Sequence, residues 1–289
     1  MLSIKLEPSE IKIPQNVIGV DMGQTLSKIV YQENNKLKLS YYPTQISLSS
    51  IEEFIEQKIS IFDRINFTGG KSYALFQSYS ERIETNLINE FEANVKGVEI
   101  LHLLEKKKVL PSAIIVTIGT GTSIVSKIDS YEHLGGSAMG GGFFMGIIKA
   151  LFNLDNFEKV MDLGNNGNRY NVDLKVSDIY DPKDTRVDLL FREFTAASLG
   201  KLDFNFNLEM LNKEDFINSL LCMIGENIGT IANLMADKVG VSNLVFCGGF
   251  LKENKITRRL LSLLCTVNKK KAIFLKNSEF NAAIGALVL

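Results

Sequence analysis

Apolar and polar positions alternate in two stretches of the chain that resemble one another. Residues 17–30, VIGVDMGQTLSKIV, run from mostly β-branched apolar residues into Asp21-Met-Gly-Gln-Thr25, then resume an apolar alternation. That pattern predicts a strand, a tight glycine turn and a returning strand. Residues 113–127, AIIVTIGTGTSIVSK, repeat it, so that Asp21-Met-Gly-Gln-Thr25 lines up with Thr117-Ile-Gly-Thr-Gly121. Two further strands end in glycine pairs, INFTGGK at 65–71 and NLVFCGGFL at 243–251. A hairpin and a strand with a terminal Gly-Gly, occurring twice in the same order, predict a duplicated α/β lobe. Four glycine turns facing one another across two lobes would form a nucleotide cleft.

The remaining periodicity fills in around this frame. Lys36 to Tyr42 reads as a strand closed by Pro43, Ile51 to Ile59 has helical spacing, and 64–68 is a strand. Leu87, Phe91, Val95, Val98, Leu101 and Leu104 predict one helix from about Ser80 to Lys107. Five glycines in the eight residues from Gly135, followed by the apolar run Phe143 to Leu151, describe a glycine loop opening a helix. Helices are expected at Phe157 to Leu163 and, as a short amphipathic piece, at Asp173 to Tyr180, with a turn cluster at 164–168 between them. Asn212-Lys-Glu-Asp215 is a capping signature for a long helix carrying Phe216, Leu220, Ile224, Ile228, Ile231 and Met235. Gly225 and Gly229 interrupt it and imply close approach by another backbone or a ligand. Strand 243–247, helix 255–265, strand 272–275 and a closing helix at 282–287 complete the chain; residues 1–16 suggest an extra edge strand.

Composition narrows the class. The chain has 289 residues, 45% hydrophobic and 22% charged, with a formal net charge of -1. That is the make-up of an ordinary soluble domain pair with no basic field for nucleic acid. No signal peptide or membrane-length apolar run is read in it, so a cytoplasmic protein is expected. Cys222, Cys247 and Cys265 lack metal or redox spacing and read as small core residues.

The candidate chemistry gathers at the glycine turns. In the first, free backbone N–H groups, the Thr25 hydroxyl and the Lys28 ammonium can hold phosphate oxygens. Asp21 beside them can hold a divalent cation directly or through water. Glu90 and Glu92 sit in the long helical stretch from about Ser80 to Lys107. Both can be read as solvated helix residues, but Glu90 lies on the margin of the apolar stripe, where a partly desolvated carboxylate can serve as a general base. Gly140, Gly141 and Gly142 open a helix whose N–H groups favour an anion; a loop packed closely between elements is the alternative.

In order, Asp21-Met-Gly-Gln-Thr-Leu-Ser-Lys28, Thr68-Gly-Gly-Lys71, Asn89-Glu-Phe-Glu-Ala93, Ile118-Gly-Thr-Gly-Thr-Ser123, Gly135-Gly to Gly142, Asp173-Leu-Lys-Val-Ser-Asp-Ile-Tyr180, Thr195-Ala-Ala-Ser-Leu-Gly200 and Ala283-Ile-Gly-Ala-Leu287 resemble the type II pantothenate kinases. These belong to the acetate and sugar kinase, Hsp70 and actin superfamily. The resemblance implies two duplicated actin-like (ribonuclease H-like) lobes, 1–110 and 111–289, with the nucleotide cleft between them. It also implies transfer of the ATP γ-phosphate to the terminal hydroxyl of pantothenate, the entry step to coenzyme A, by a magnesium-dependent homodimer. On that resemblance Glu90 matches the catalytic base, Asp21 the Mg²⁺-associated carboxylate and Lys28 the phosphate-contacting lysine. ATP contacts are expected from Gly23, Gln24, Thr25, Gly119, Thr120, Gly121, Thr122, Gly140, Gly141, Gly142 and Tyr180, with Gly248 and Gly249 near the adenosine. Pantothenate contacts are expected from Thr120, Ser123, His133 and Ala197. Coenzyme A or its thioesters regulate some members.

Three positions depart from the family pattern. Gln24 stands where a second glycine is usual, and would be strained if the turn needs a positive φ. His133 replaces an arginine, and Asn168 an aspartate. Compensated drift is one reading of these changes; altered substrate handling or weakened catalysis is another. The competing functions are a sugar kinase of the same fold and a nucleotide- or acyl-CoA-binding regulator that has lost catalysis.

Overall fold

The computed structural model describes residues 2–6, 12–44, 48–189, 191–203 and 206–289. The first half forms β1 (Leu2–Lys5), β2 (Val17–Met22), β3 (Leu26–Glu33), β4 (Lys36–Pro43), α1 (Leu48–Lys58), β5 (Arg64–Thr68), α2 (Tyr73–Tyr79), β6 (Glu84–Leu87) and α3 (Glu90–Lys106). Next come β7 (Ala113–Ile118), β8 (Thr122–Lys127), β9 (Tyr131–Ser137), α4 (Gly141–Phe152) and α5 (Phe157–Asn166). A small ribbon is made by β10 (Leu174–Lys175), α6 (Val176–Ile179) and β11 (Thr195–Ala197). The chain continues through α7 (Lys213–Val239), β12 (Asn243–Cys247), α8 (Lys255–Val267), β13 (Lys271–Phe274) and α9 (Asn281–Val288).

The duplication appears in the sheets. The first has strand order β1-β4-β3-β2-β5-β6 and the second β13-β12-β7-β8-β9. In each, an antiparallel meander (β2-β3-β4, β7-β8-β9) joins a parallel pair (β2-β5-β6, β7-β12-β13) through its first strand. The expected extra edge strand is β1, paired with β4.

Alternation of side chains sets up five layers, because each strand of a sheet covered on both faces is apolar on both sides. Ile18, Val20, Met22, Ile29 and Phe67 face outward onto α1 and α2. Ile114, Val116, Ile124 and Phe246 face outward onto the helices of the second half. The inner faces meet around α3 and α9, with Val30, Leu39, Val98, Ile115, Val245, Ile284 and Leu287 in one continuous core. Here backbone runs against backbone. A Cβ on Gly97 would lie 1.7 Å from the Asn281 carbonyl oxygen, one on Gly285 1.8 Å from that of Ala93, and one on Gly19 2.2 Å from that of Ala283. The closing helix thus packs on β2 and β5 of the first sheet, and Asn66 Nδ2 donates to the Ala286 carbonyl at 2.6 Å.

Two expected helices are corrected. The stretch from Ser80 is a turn and the strand β6, and α3 begins only at Glu90; Leu87, assigned to the buried stripe, is 46% exposed. Leu87 and Phe91 share helical spacing by coincidence across a strand end. Asn89 marks the true start, accepting hydrogen bonds from the Phe91 and Glu92 N–H groups. Residues 173–180 form a two-residue strand and a single helical turn, because Leu174 and Lys175 pair with β11.

The capping signature at Asn212 holds, with its side chain accepting from Glu214 and Asp215 N–H. By length and composition α7 could cross a membrane, but its apolar positions are the core of the second lobe. Its Gly225 and Gly229 admit the side chains of Thr257, Leu260, Leu261 and Leu264 on α8. Burial pushes the thiols of Cys222 and Cys247 up to about 12 and that of Cys265 up to about 11, so all three are protonated core residues.

Candidate active site

The carboxyl ends of β2, β5, β7 and β12 carry the four glycine turns to one crevice between the sheets, the usual ligand position in open α/β sheets. On the first side Asp21 and Lys28 are directly opposite on β2 and β3, so their side chains share the inner face. They form an ion pair of 2.7 Å in which both side chains are largely buried. Asp21 also pairs in register with Thr68 on β5, bringing the next turn against it. Gly69 there has φ +88°, and a Cβ on it would lie 2.6 Å from Asp21 Oδ1. Glycine is required at that position by both conformation and space.

The first hairpin turn is braced from below by a residue that hydrophobic patterning gave no reason to single out. Thr44 donates its hydroxyl to the Gly23 carbonyl at 2.9 Å and its N–H to the Thr25 carbonyl at 2.9 Å. Gln24 is absent from the residues with positive φ, so the departure from glycine carries no backbone strain.

The second hairpin turn is braced by the glycine loop. Gly141 N–H donates to the Gly119 carbonyl at 2.8 Å and Gly142 N–H to that of Thr120 at 2.9 Å. A Cβ on Gly140 would sit 2.7 Å from the Thr120 oxygen. These amides are therefore engaged with the turn, and the loop's immediate job is to hold residues 119–121. Thr122 turns inward, its hydroxyl donating to the Met139 carbonyl at 2.7 Å. Thr120 turns outward and meets Thr25 across the crevice, Oγ1 to Oγ1 at 3.0 Å. Ser123 follows on β8 opposite Thr117.

Glu90 is the first residue of α3 and opens onto the same crevice. Partial burial raises its carboxyl above the ordinary range; the Asp21 charge raises it further and Lys28 opposes both. Beside it, Phe91 stacks on the ring of His133 from β9 at 4.0 Å and an interplanar angle of 12°. His133 thus packs against the residue that follows Glu90.

Gly248 has φ +103° and presses on the end of β7, where a Cβ would be 2.3 Å from the Ile118 oxygen; Gly249 faces open space. Three residues beyond Gly249, Lys252 lines a cavity of about 300 Å³ together with Phe157, Met161 and Asp162 among others. None of these four was expected from the sequence. The available signal was only the closeness of Lys252 to the glycine pair.

Tyr180 and Ala197 lie apart, on the ribbon. Among the described residues no hydrogen bond joins that ribbon to the glycine turns; Asp173 and Arg169, just before it, are tied to α7 instead. Asp173 accepts from Arg169 Nε at 2.6 Å, from the Ser219 hydroxyl and from the Leu199 N–H at 2.7 Å, while Arg169 also grips Glu226. Asn168 caps the turn leading into this knot through its side chain, accepting from Tyr170 N–H at 3.1 Å. Asparagine caps as well as aspartate, so that departure preserves the local structure.

A two-lobed α/β fold with paired glycine hairpins around an ion pair and a raised carboxyl defines an actin-like phosphotransferase scaffold. Solved structures share the fold. The activator of the 2-hydroxyisocaproyl-CoA dehydratase from Clostridium difficile, with bound ADPNP, superposes with a TM-score of 0.57 at 16% identity, covering 94% of this chain and 92% of that one. A ROK family glucokinase from Streptomyces griseus in complex with glucose and AMPPNP gives 0.56 at 12% identity, covering 94% and 97%. The family described as Fumble matches residues 101–289. A type II pantothenate kinase of Bacillus thuringiensis subsp. konkukian is 32% identical over 281 residues, 95% of this chain and 97% of the relative. One from Oceanobacillus iheyensis is 32% identical over 276 residues, covering 94% and 98%. The chain belongs to the type II pantothenate kinase family.

Proposed function

We propose that the protein transfers the γ-phosphate of ATP to the terminal hydroxyl of pantothenate, the first step of coenzyme A synthesis. The observation that carries this reading is Glu90, a carboxyl raised by partial burial and facing the Asp21–Lys28 pair in a chain of that family. Phosphoryl transfer is largely positioning and charge neutralisation, so the protein needs one base for the acceptor and cations for the phosphates. Glu90 takes the hydroxyl proton, and Lys28 turns from Asp21 to a phosphate oxygen. Thr25 and Thr120 exchange their mutual hydrogen bond for ones to the phosphates, and the N–H groups of Gln24, Thr25, Thr120 and Gly121 add to these, while those of Gly23 and Gly119 close their own turns on Leu26 and Gly121. Gly140, Gly141, Gly142 and Thr122 serve ATP by fixing the second turn. Ser123 and His133 flank the acceptor.

Asp21, beside a glycine that leaves room for nothing larger, fits one-carboxylate binding of Mg²⁺, which completes its shell with waters and phosphates. When bound, the ion neutralises phosphate charge. The cavity beside Gly249 suits adenosine, with Phe157 and Met161 against the base. Tyr180 and Ala197 reach bound substrate only if the ribbon approaches the crevice. Exposed Ile179, Leu189, Phe191, Phe194, Leu208 and Met210 in and around the ribbon support a homodimer built on this face. Three unpaired, buried cysteines fit a reducing cytoplasm.

A coupled ADP-release assay with Mg·ATP, pantothenate and a panel of amino sugars tests the reading. Turnover is expected with pantothenate, falling by roughly 10²–10⁴-fold in Glu90→Gln with ATP affinity retained. Better turnover of an amino sugar, or full activity in that variant, would overturn it.

A further inference from the structure

Three residues cross the top of the first sheet in one row. Asp21 is opposite Lys28, and Lys28 is opposite Tyr41 on β4, so all three side chains share the inner face toward the second lobe. Tyr41 is 45% exposed, and its ring lies 6.3 Å from that of Phe280. The ammonium of Lys252, from the second lobe, sits over the Tyr41 ring at 4.8 Å from its centroid. The row therefore continues across the crevice, from Asp21 through Lys28 and Tyr41 to Lys252.

Lys252 has a second neighbour. It closes the short helical turn that begins at Gly249 and forms a wall of the 300 Å³ cavity. That cavity is also lined by Glu158, Asp162 and Glu253, with Lys255 as the only other cation among the described residues. Three carboxylates make a poor seat for phosphate but suit hydroxyl and amino donors, the groups of a nucleoside. A nucleotide with its neutral end in the cavity must run its phosphates out past Lys252 toward Lys28. Among the described residues Lys252 makes no ion pair, and its ammonium is partnered by the Tyr41 ring. A cation–π contact on an exposed ring is readily given up for a phosphate oxygen, a far stronger partner for an ammonium.

We propose that Lys252 is a nucleotide-binding residue, parked over Tyr41 in the free enzyme and donating to a phosphate next to the nucleoside when ADP or ATP is bound. This rests on the cleft being the nucleotide site of the kinase read above. The contact also couples the lobes: Lys252 leaves a residue of the first lobe when the ligand arrives.

The test compares wild type, Lys252→Met, which keeps the apolar stem, and Lys252→Arg, which restores the charge. Titration calorimetry with ADP and with adenosine is run beside initial rates in ATP and pantothenate. Loss of one charge-assisted bond predicts about tenfold weaker ADP binding and a similarly raised KM for ATP in Lys252→Met. Adenosine affinity, kcat and the KM for pantothenate stay within about twofold of wild type, and Lys252→Arg recovers ADP affinity. Equal ADP affinity in wild type and Lys252→Met overturns the proposal, as does an equal loss for adenosine and ADP. Should wild type bind ADP yet phosphorylate no pantothenate, the kinase reading fails while the ADP comparison still decides the role of Lys252.

Discussion

The two glycine hairpins occupy equivalent places in their sheets and carry different chemistry. In the first, the inward-facing pair at the strand ends is Asp21 opposite Lys28; in the second it is Thr117 opposite Ser123. The turns differ as well. Four residues, 23–26, separate the last paired positions Met22 and Ser27, whereas three, 119–121, separate Ile118 and Thr122. The first turn is braced by one threonine from the neighbouring strand end, the second by a whole glycine loop and helix start. Duplication kept the scaffold and divided the work between the hairpins: one brings an ion pair, the other neutral hydroxyls and a rigid backbone. Two charged turns face to face would repel a phosphate with one carboxylate too many. Two neutral turns would leave its charge uncompensated.

This division predicts unequal costs. Among the hairpin residues Lys28→Met should produce the largest loss, about 10²–10³-fold in kcat, the usual result of removing one donor from a developing anion. It should also move the acidic limb of the pH–rate profile. Glu90 must be ionised to act, so activity falls as pH drops through its raised value, and Lys28 is the group holding that value down. Without the lysine the limb lies at higher pH, and an unmoved limb would separate Lys28 from Glu90. Thr120→Val in the neutral turn should cost only a few-fold to about tenfold in kcat/KM, one uncharged hydrogen bond's worth. A loss as large as that of Lys28→Met would erase the distinction between the lobes. Gln24→Gly should change kcat/KM by less than about twofold, since no left-handed conformation is being relieved.

Much of this was legible in the chain, because each hairpin is written locally: apolar alternation, a glycine turn, apolar alternation again. Asp21, Lys28 and Glu90 could be singled out because charge at the end of a buried strand or the edge of an apolar stripe is unusual. What failed was the reading across residues 80–90, where two apolar residues spaced like a helix turn lie on different elements. There the capping asparagine at position 89 was the better signal than the apolar period. Thr44 and Lys252 were illegible for a different reason. Each acts on a segment distant in sequence, and nothing in its immediate neighbours shows which strand will be beside it. The glycine loop was found, but the partner of its N–H groups was not, since register between the loop and residues 119–121 exists only in three dimensions.

The contact of α9 with the first sheet has a consequence for how the chain is made. Gly19 and Asn66 belong to segments that leave the ribosome early, yet the backbone they rest on, at Ala283 and Ala286, is synthesised long after them. Until then the inner face of the first sheet is an apolar surface without its cover. The first lobe cannot mature as a unit behind the ribosome; its completion waits for the second lobe to be translated and for the chain to double back. A truncation before residue 281 would therefore be felt first at the opposite end of the molecule, under Asp21, rather than at the cut.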